Sequence, residues 1–101
     1  MSIFQQQAFL MSAQNQTINS FNADQYSTYL TSLQNQINTL TSNLQTSSKV
    51  DELNSLIKIL FTVIGTMYSA GFLSEEACQE FFSSKNKQID PKTFKDRKST
   101  R

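Results

Sequence analysis

From Tyr26 onward the apolar positions Leu30, Leu33, Ile37, Leu40 and Leu44 recur at alternating spacings of three and four, the interval that keeps side chains on one narrow stripe of an α-helix. Everything around the stripe is Thr, Ser, Gln or Asn. Such a helix can bury only its stripe, which suits a partner helix better than a broad core, and Asn22 with Gln25, or Asp24 alone, is placed to cap its start. The same register would next put Ser47 and Asp51 on the seam, but the apolar positions resume at Val50, Leu53, Ile57, Leu60, Ile64 and Met67. The phase slips by one residue. Ser48, three positions before Asp51, has the form of a capping pair at that slip, so a tight turn between two helices is favoured over one long helix with a local discontinuity.

Between Leu53 and Leu73 the chain is apolar on more than one face, with Leu56, Ile57, Ile59, Leu60, Phe61, Val63 and Ile64 close together, and this is the expected core. Gly71 suits a left-handed helix terminus, and Ser74 offers an N-cap for a short third helix running from Glu75 to about Ser83. Ala77, Cys78, Phe81 and Phe82 give that helix an apolar face expected to fold back on Phe61, Val63 and Tyr68. Before the heptad helix, Met1 to Phe21 scatters Ile3, Phe4, Phe9, Leu10, Met11, Ile18 and Phe21 among amides without a sustained period, which predicts a short helix or a loose arm.

The fold class that follows is all-α: an elongated helical hairpin or coiled coil with a short third helix and a disordered basic tail. The chain divides into an N-terminal arm (1–21), a helical coiled-coil or hairpin segment (22–84) and a basic tail (85–101). Two Gly and one Pro in 101 residues leave little for hairpin turns or phosphate-cradling loops, which disfavours β-rich and nucleotide-binding α/β folds.

Composition sharpens this picture. Gln, Asn, Ser and Thr make up 43 of the 101 residues, more uncharged polar surface than a rounded single-core domain of this length can hide. Charge is segregated: residues 1–48 hold one charged side chain, Asp24, residues 49–84 carry a net −3, and residues 85–101 carry a net +5. The overall +1 conceals that polarity. In the tail, Lys85, Lys87, Lys92, Lys95, Arg97, Lys98 and Arg101 are candidate contacts to an anionic partner, nucleic acid included, where each phosphate contact adds salt-sensitive affinity. A solubilising end is the plainer reading of the same charges.

Catalysis is not expected. There is no His, and the single Cys excludes an internal disulfide and a structural zinc site. Asp51 with Glu52, and Glu75 with Glu76, are carboxylate pairs at helix starts, where negative charge stabilises by about 0.3–1 kcal/mol, and Cys78 lacks a neighbouring base and reads as a small core residue. No cofactor is expected. The chain begins without a basic stretch, an apolar run or a small-residue cleavage site, so secretion through a signal peptide is not expected either.

Two assembly readings remain. The stripe of Leu30, Leu33, Ile37, Leu40 and Leu44 can be buried against the following helix within one chain or against copies of itself; the second is favoured and gives a homo-oligomer, with Val50, Leu53, Ile57, Leu60, Ile64 and Met67 as core or second seam. Small domains often need such association. The flanks are uncharged, so charge pairing sets neither partner nor direction. Alternatively, Leu56 to Leu73 is eighteen residues with only Lys58 as a charge, close to the ~20 that span a bilayer, and Gly65 with Ser69 supplies a small-xxx-small face. That reading makes a small membrane-active protein that oligomerises through its polar helix.

The stretch Met67-Tyr-Ser-Ala-Gly-Phe-Leu-Ser-Glu-Glu-Ala-Cys-Gln-Glu-Phe-Phe82 resembles the module of short helix, Gly, apolar pair, Ser, Glu-Glu and helix found in XkdX-like tail proteins of tailed bacteriophages. The plan of polar coiled coil, compact segment and basic tail is similar to virion-associated coiled-coil proteins such as that of caulimoviruses. These resemblances imply a non-enzymatic structural or adaptor protein of a viral or phage particle, found in the virion or the host cytoplasm, with other structural proteins of the assembly as partners. Neither supplies functional residues.

Overall fold

The computed structural model describes residues 1–89 and is all-α. Four helices follow one another: α1 (Ile3–Ala13), α2 (Ala23–Ser42), α3 (Lys49–Ser69) and α4 (Ser74–Ser83). Of the tail residues, Lys85 and Lys87 are described, whereas Lys92, Lys95, Arg97, Lys98, Arg101 and the expected disorder of this segment lie outside the described residues.

The helix boundaries follow local chemistry. Asn22 accepts a bond from the Gln25 amide at 3.1 Å, and Ser48 accepts one from the Asp51 amide at 3.1 Å, each satisfying a donor that the first turn of α2 or α3 leaves orphaned. The turn at residues 43–48 therefore separates two helices, as the phase slip predicts. At the far end of α3, Gly71 takes φ 93°, and the amides of Phe72 and Gly71 close back on the carbonyls of Met67 and Tyr68, both at 3.0 Å. This is the left-handed terminus for which glycine is suited.

One local expectation changes and a second is narrowed. Ser74 is the first residue of α4 rather than its cap; its hydroxyl donates instead to the Ile64 carbonyl at 3.2 Å and is fully buried, tying α4 to the middle of the last turns of α3. Of the two expectations for residues 1–21, a short helix or a loose arm, the helix is found, and it is packed rather than loose. Ser2 and Gln5 form a reciprocal capping box at 3.0 and 3.1 Å, and Asn15, at φ 60°, ends α1 with amide bonds from Asn15 to Ser12 and from Gln16 to Met11.

Helix α1 packs on the second half of α3. Met11 (1% exposed) and Ile64 (2%) meet Tyr68 at the centre, with Phe4, Ala8, Ile18, Tyr29 and Met67 packed around them. The core is therefore a small head at one end of the α2–α3 hairpin, not the whole span from Leu53 to Leu73. Leu53, Leu56, Ile57 and Leu60 remain exposed, and so do Val63, Phe81 and Phe82. The α4 face expected to close on Phe61, Val63 and Tyr68 instead sets Cys78 and Phe82 beside Phe4 of α1, around a shallow groove, and leaves Phe82 under the Lys87 ammonium, 4.5 Å from the ring centroid.

Close approach in the head needs Gly65. A Cβ there would run into Tyr29 Cε1 and lie 2.9 Å from Tyr29 Cζ and 3.0 Å from Gln7 Nε2, and the Tyr29 hydroxyl is held by Gln7 and Gln16, so the ring cannot swing away freely. Gly65→Ala is expected to lower stability by about 1–3 kcal/mol through overpacking, although alanine is intrinsically the better helix former by about 1 kcal/mol. Urea melts of Gly65→Ala with and without Tyr29→Leu check this: the loss should shrink in the Tyr29→Leu background, and an equal loss in both would rule out the ring as its cause.

Candidate functional site: the uncovered face of the hairpin

The α2–α3 hairpin is closed by polar residues. Gln25 spans its head end: the side-chain amide donates to the Thr17 carbonyl (2.7 Å) and to Ser69 Oγ (2.8 Å), while Oε1 accepts from the Thr17 amide (2.8 Å). The Ser69 hydroxyl donates a hydrogen bond to the Gly65 carbonyl at 2.8 Å, and its backbone carbonyl accepts from the Asn22 amide at 2.9 Å. Further along, the Thr62 hydroxyl lies 3.1 Å from Gln36 Oε1 and 2.8 Å from the Lys58 carbonyl. Among the described residues no buried side-chain nitrogen or oxygen lacks a partner, so these groups are buried without the penalty of an unmade bond.

Burial raises the phenol pKa values of Tyr29 and Tyr68 above the ordinary value near 10; at Tyr29 the hydrogen bond from Gln7 acts in the opposite direction, and at Tyr68 the Glu75 carboxylate adds to the rise. Both phenols stay neutral at physiological pH and serve as hydrogen-bonding posts: Tyr68 donates to the Phe4 carbonyl at 3.4 Å, and Ser2 donates to Glu75 at 3.3 Å beside it.

Because amides and hydroxyls occupy the hairpin interior, the two apolar stripes do not meet there as a buried seam. Leu33, Leu40 and Ile59 are half-buried, Met67 is half-buried near the head and Ile64 lies in the core, but Leu30, Ile37 and Leu44 on α2, and Val50, Leu53, Leu56, Ile57, Leu60 and Val63 on α3, are exposed. Exposure grows away from the head, from 38% at Leu30 to 54% at Leu44 and from 37% at Val63 to 67% at Val50.

Helical geometry places the stripes on one side. At about 100° per residue, Leu30 to Leu44 centre about 70° round α2 from the Tyr29–Gln36 line that faces α3. On α3, the stripe through Leu53, Leu56, Leu60, Val63 and Met67 centres about 120° from the Ser55–Thr62–Thr66 line that faces α2. The two helices run in opposite directions, so both rotations lead to the same side of the hairpin.

The other side carries α1 at the head and, further out, a polar cleft of about 600 Å³ whose walls include Thr28, Thr31, Asn35, Gln36 and Lys58. The hairpin is thus two-faced: one side is leucine, isoleucine and valine, and the other is the hydroxyl and amide cleft together with a groove where Ile57 and Phe61 meet Phe9 and Leu10 of α1.

The remaining sequence candidates are dispersed. Asp51 and Glu52 lie in the first turn of α3, and Glu75 and Glu76 in the first turn of α4, where the positive helix end favours them. Cys78 is half-buried. No three His, Cys, Asp or Glu side chains come together as a metal site among the described residues.

Sequence reasoning left two contributors to this architecture unread. The capping box at Ser2 and Gln5 carries its own signature, Ser-x-x-Gln before an apolar run, and could have fixed α1. The Gln25–Ser69 and Gln36–Thr62 pairs join residues far apart in the chain through side chains with no local signature. Compared with protein-family models, with curated proteins and with solved structures, the chain matches none.

Proposed function

We propose that this chain is a non-enzymatic structural or adaptor protein that self-associates through the apolar face of its hairpin, and that it is a component of a viral or phage particle, acting in the virion or the host cytoplasm. The observation that carries the reading is the row of exposed Leu, Ile and Val side chains on α2 and α3. Left in water, that surface forfeits about 25 cal/mol for every Å² it would bury against a partner, and contiguous apolar patches of this size mark interaction sites. Resemblance of residues 67–82, the end of α3, the Gly71 turn and α4, to the XkdX-like module supports the particle assignment. Lys85 and Lys87, with the other tail bases, would meet nucleic acid or another anionic component of the assembly.

A second reading uses the same surface for lipid. Among the described residues no single helix is long and apolar enough to cross a membrane; α3 with α4 passes by length and composition, but the pair is bent by 104°. In the membrane-active alternative, the segment 56–73 inserts and the polar helix oligomerises. Fractionation separates the two readings: the structural reading predicts that the expressed protein stays in a high-speed supernatant without detergent, and a pellet released only by detergent would put lipid in place of protein on the face.

A further inference from the structure

Resting on the self-association proposed above, we infer that the occupant of the apolar face is a second copy of the same hairpin, docked face to face so that α2 and α3 of each chain form a four-helix bundle, rather than α2 alone pairing in a two-stranded coiled coil. Three observations lead there.

The stripes of α2 and α3 lie on the same side, so an α2–α2 pairing would bury Leu30, Ile37 and Leu44 and leave Leu53, Leu56 and Leu60 in water. A bundle covers both stripes, in the arrangement by which four-helix proteins bury their seams. The exposed portions of the seven side chains on this face, Leu30, Ile37, Leu44, Leu53, Leu56, Leu60 and Val63, together amount to several hundred Å², the order of the ~800 Å² that each partner contributes to an interface of standard size.

The charge pattern admits a copy and disfavours a partner recognised by charge. An isologous interface sets every group near its own equivalent, which an ionic face does not tolerate. This face tolerates it: α2 carries one charged residue, Asp24, in its first turn, and at the hairpin tip Lys49 is paired with Glu52 at 3.6 Å. A partner recognised by charge would find nothing to read along the stripe. The polar cleft and α1 stay on the outside of such a dimer, available to other components.

The test uses full-length chains in a Cys78→Ser background, each with one new cysteine. Ile37→Cys sits midway along the α2 stripe, and Leu60→Cys on the α3 stripe; Asn35→Cys lies in the wall of the polar cleft on the opposite side. Each is treated with a bis-maleimide after circular dichroism has established native helix content, and its mass is measured by light scattering before treatment. The bundle predicts a mass of two chains, with cross-linking at Ile37→Cys and Leu60→Cys several-fold above that at Asn35→Cys. Cross-linking at Ile37→Cys but not Leu60→Cys would replace the bundle by an α2 coiled coil, and cross-linking chiefly at Asn35→Cys would move the interface to the polar side; both overturn the inference and leave self-association standing. A mass of more than two chains also overturns it. A single-chain mass at every concentration removes self-association itself, and where one cysteine variant fails to fold, the other stripe position carries the comparison against Asn35→Cys.

Discussion

Ile37→Ser combined with Leu60→Ser is expected to leave a folded single chain. Fully burying one such side chain contributes about 1.5–3 kcal/mol, of which a side chain already more than half covered has roughly 0.7–1.4 kcal/mol left to gain; a two-fold interface loses each of the two twice, so the double variant should weaken association by about two to four orders of magnitude at ~1.4 kcal/mol per tenfold. Both residues lie outside the head, at 45% exposure, and substitutions at exposed positions shift the stability of a single chain by only about 0.5 kcal/mol. Sedimentation equilibrium and far-ultraviolet circular dichroism on the same sample check the two halves of the expectation. An unchanged mass would place the interface elsewhere; lost helix would show that the stripe stabilises the chain internally.

Met11→Ala is expected to cost about 2–5 kcal/mol, the range for truncating a fully buried large side chain. A domain of this size has a total stability of only about 5–15 kcal/mol, so a substitution in the first thirteen residues should bring the whole molecule close to unfolding. The reason is that Met11 is not on an appendage: it fills the space between Ile64 and Tyr68, and α1 gives α3 the only extended apolar cover it has at the head among the described helices. Phe9→Ala, two positions earlier but 69% exposed, should change stability by no more than about 0.5 kcal/mol. Urea unfolding of the two variants compares them directly, and similar midpoints would show that α1 does not belong to the core.

These two variants also mark where the sequence was informative. Residues whose partners are a few positions away could be read: Asn22 and Ser48 as caps, Gly71 as a left-handed terminus, and the three-four spacing of Leu30 to Leu44 as a helical stripe. The phase slip between Leu44 and Val50 was enough to place a turn, because a stripe that changes face cannot stay on one partner. Residues whose partners lie across the fold could not. Met11 looks like any apolar residue in an amide-rich stretch until α1 is laid on Ile64 and Tyr68, and Phe81 and Phe82 look like a core face until α4 leaves α3 at a steep angle.

The hairpin interior is the clearest case. Two leucine stripes in succession invite the expectation that they bury each other, yet Gln25 with Ser69 and Gln36 with Thr62 draw the helices together through their polar sides. A stripe pattern reports that a face wants to be covered, not which surface covers it. The polar closure has a physical consequence: hydrogen bonds between specific amides and hydroxyls fix the register of α2 on α3, and the apolar residues are freed to serve an outside partner. A hairpin held together by its leucines would have had little left to offer.

The mass of the purified full-length protein in detergent-free buffer, measured by size exclusion with light scattering at low and high salt, tests self-association through this uncharged face most directly. A discrete species of two chains, unchanged between the two salt conditions, is the predicted result. A single chain at all concentrations, or an aggregate that disperses only in detergent, would contradict it.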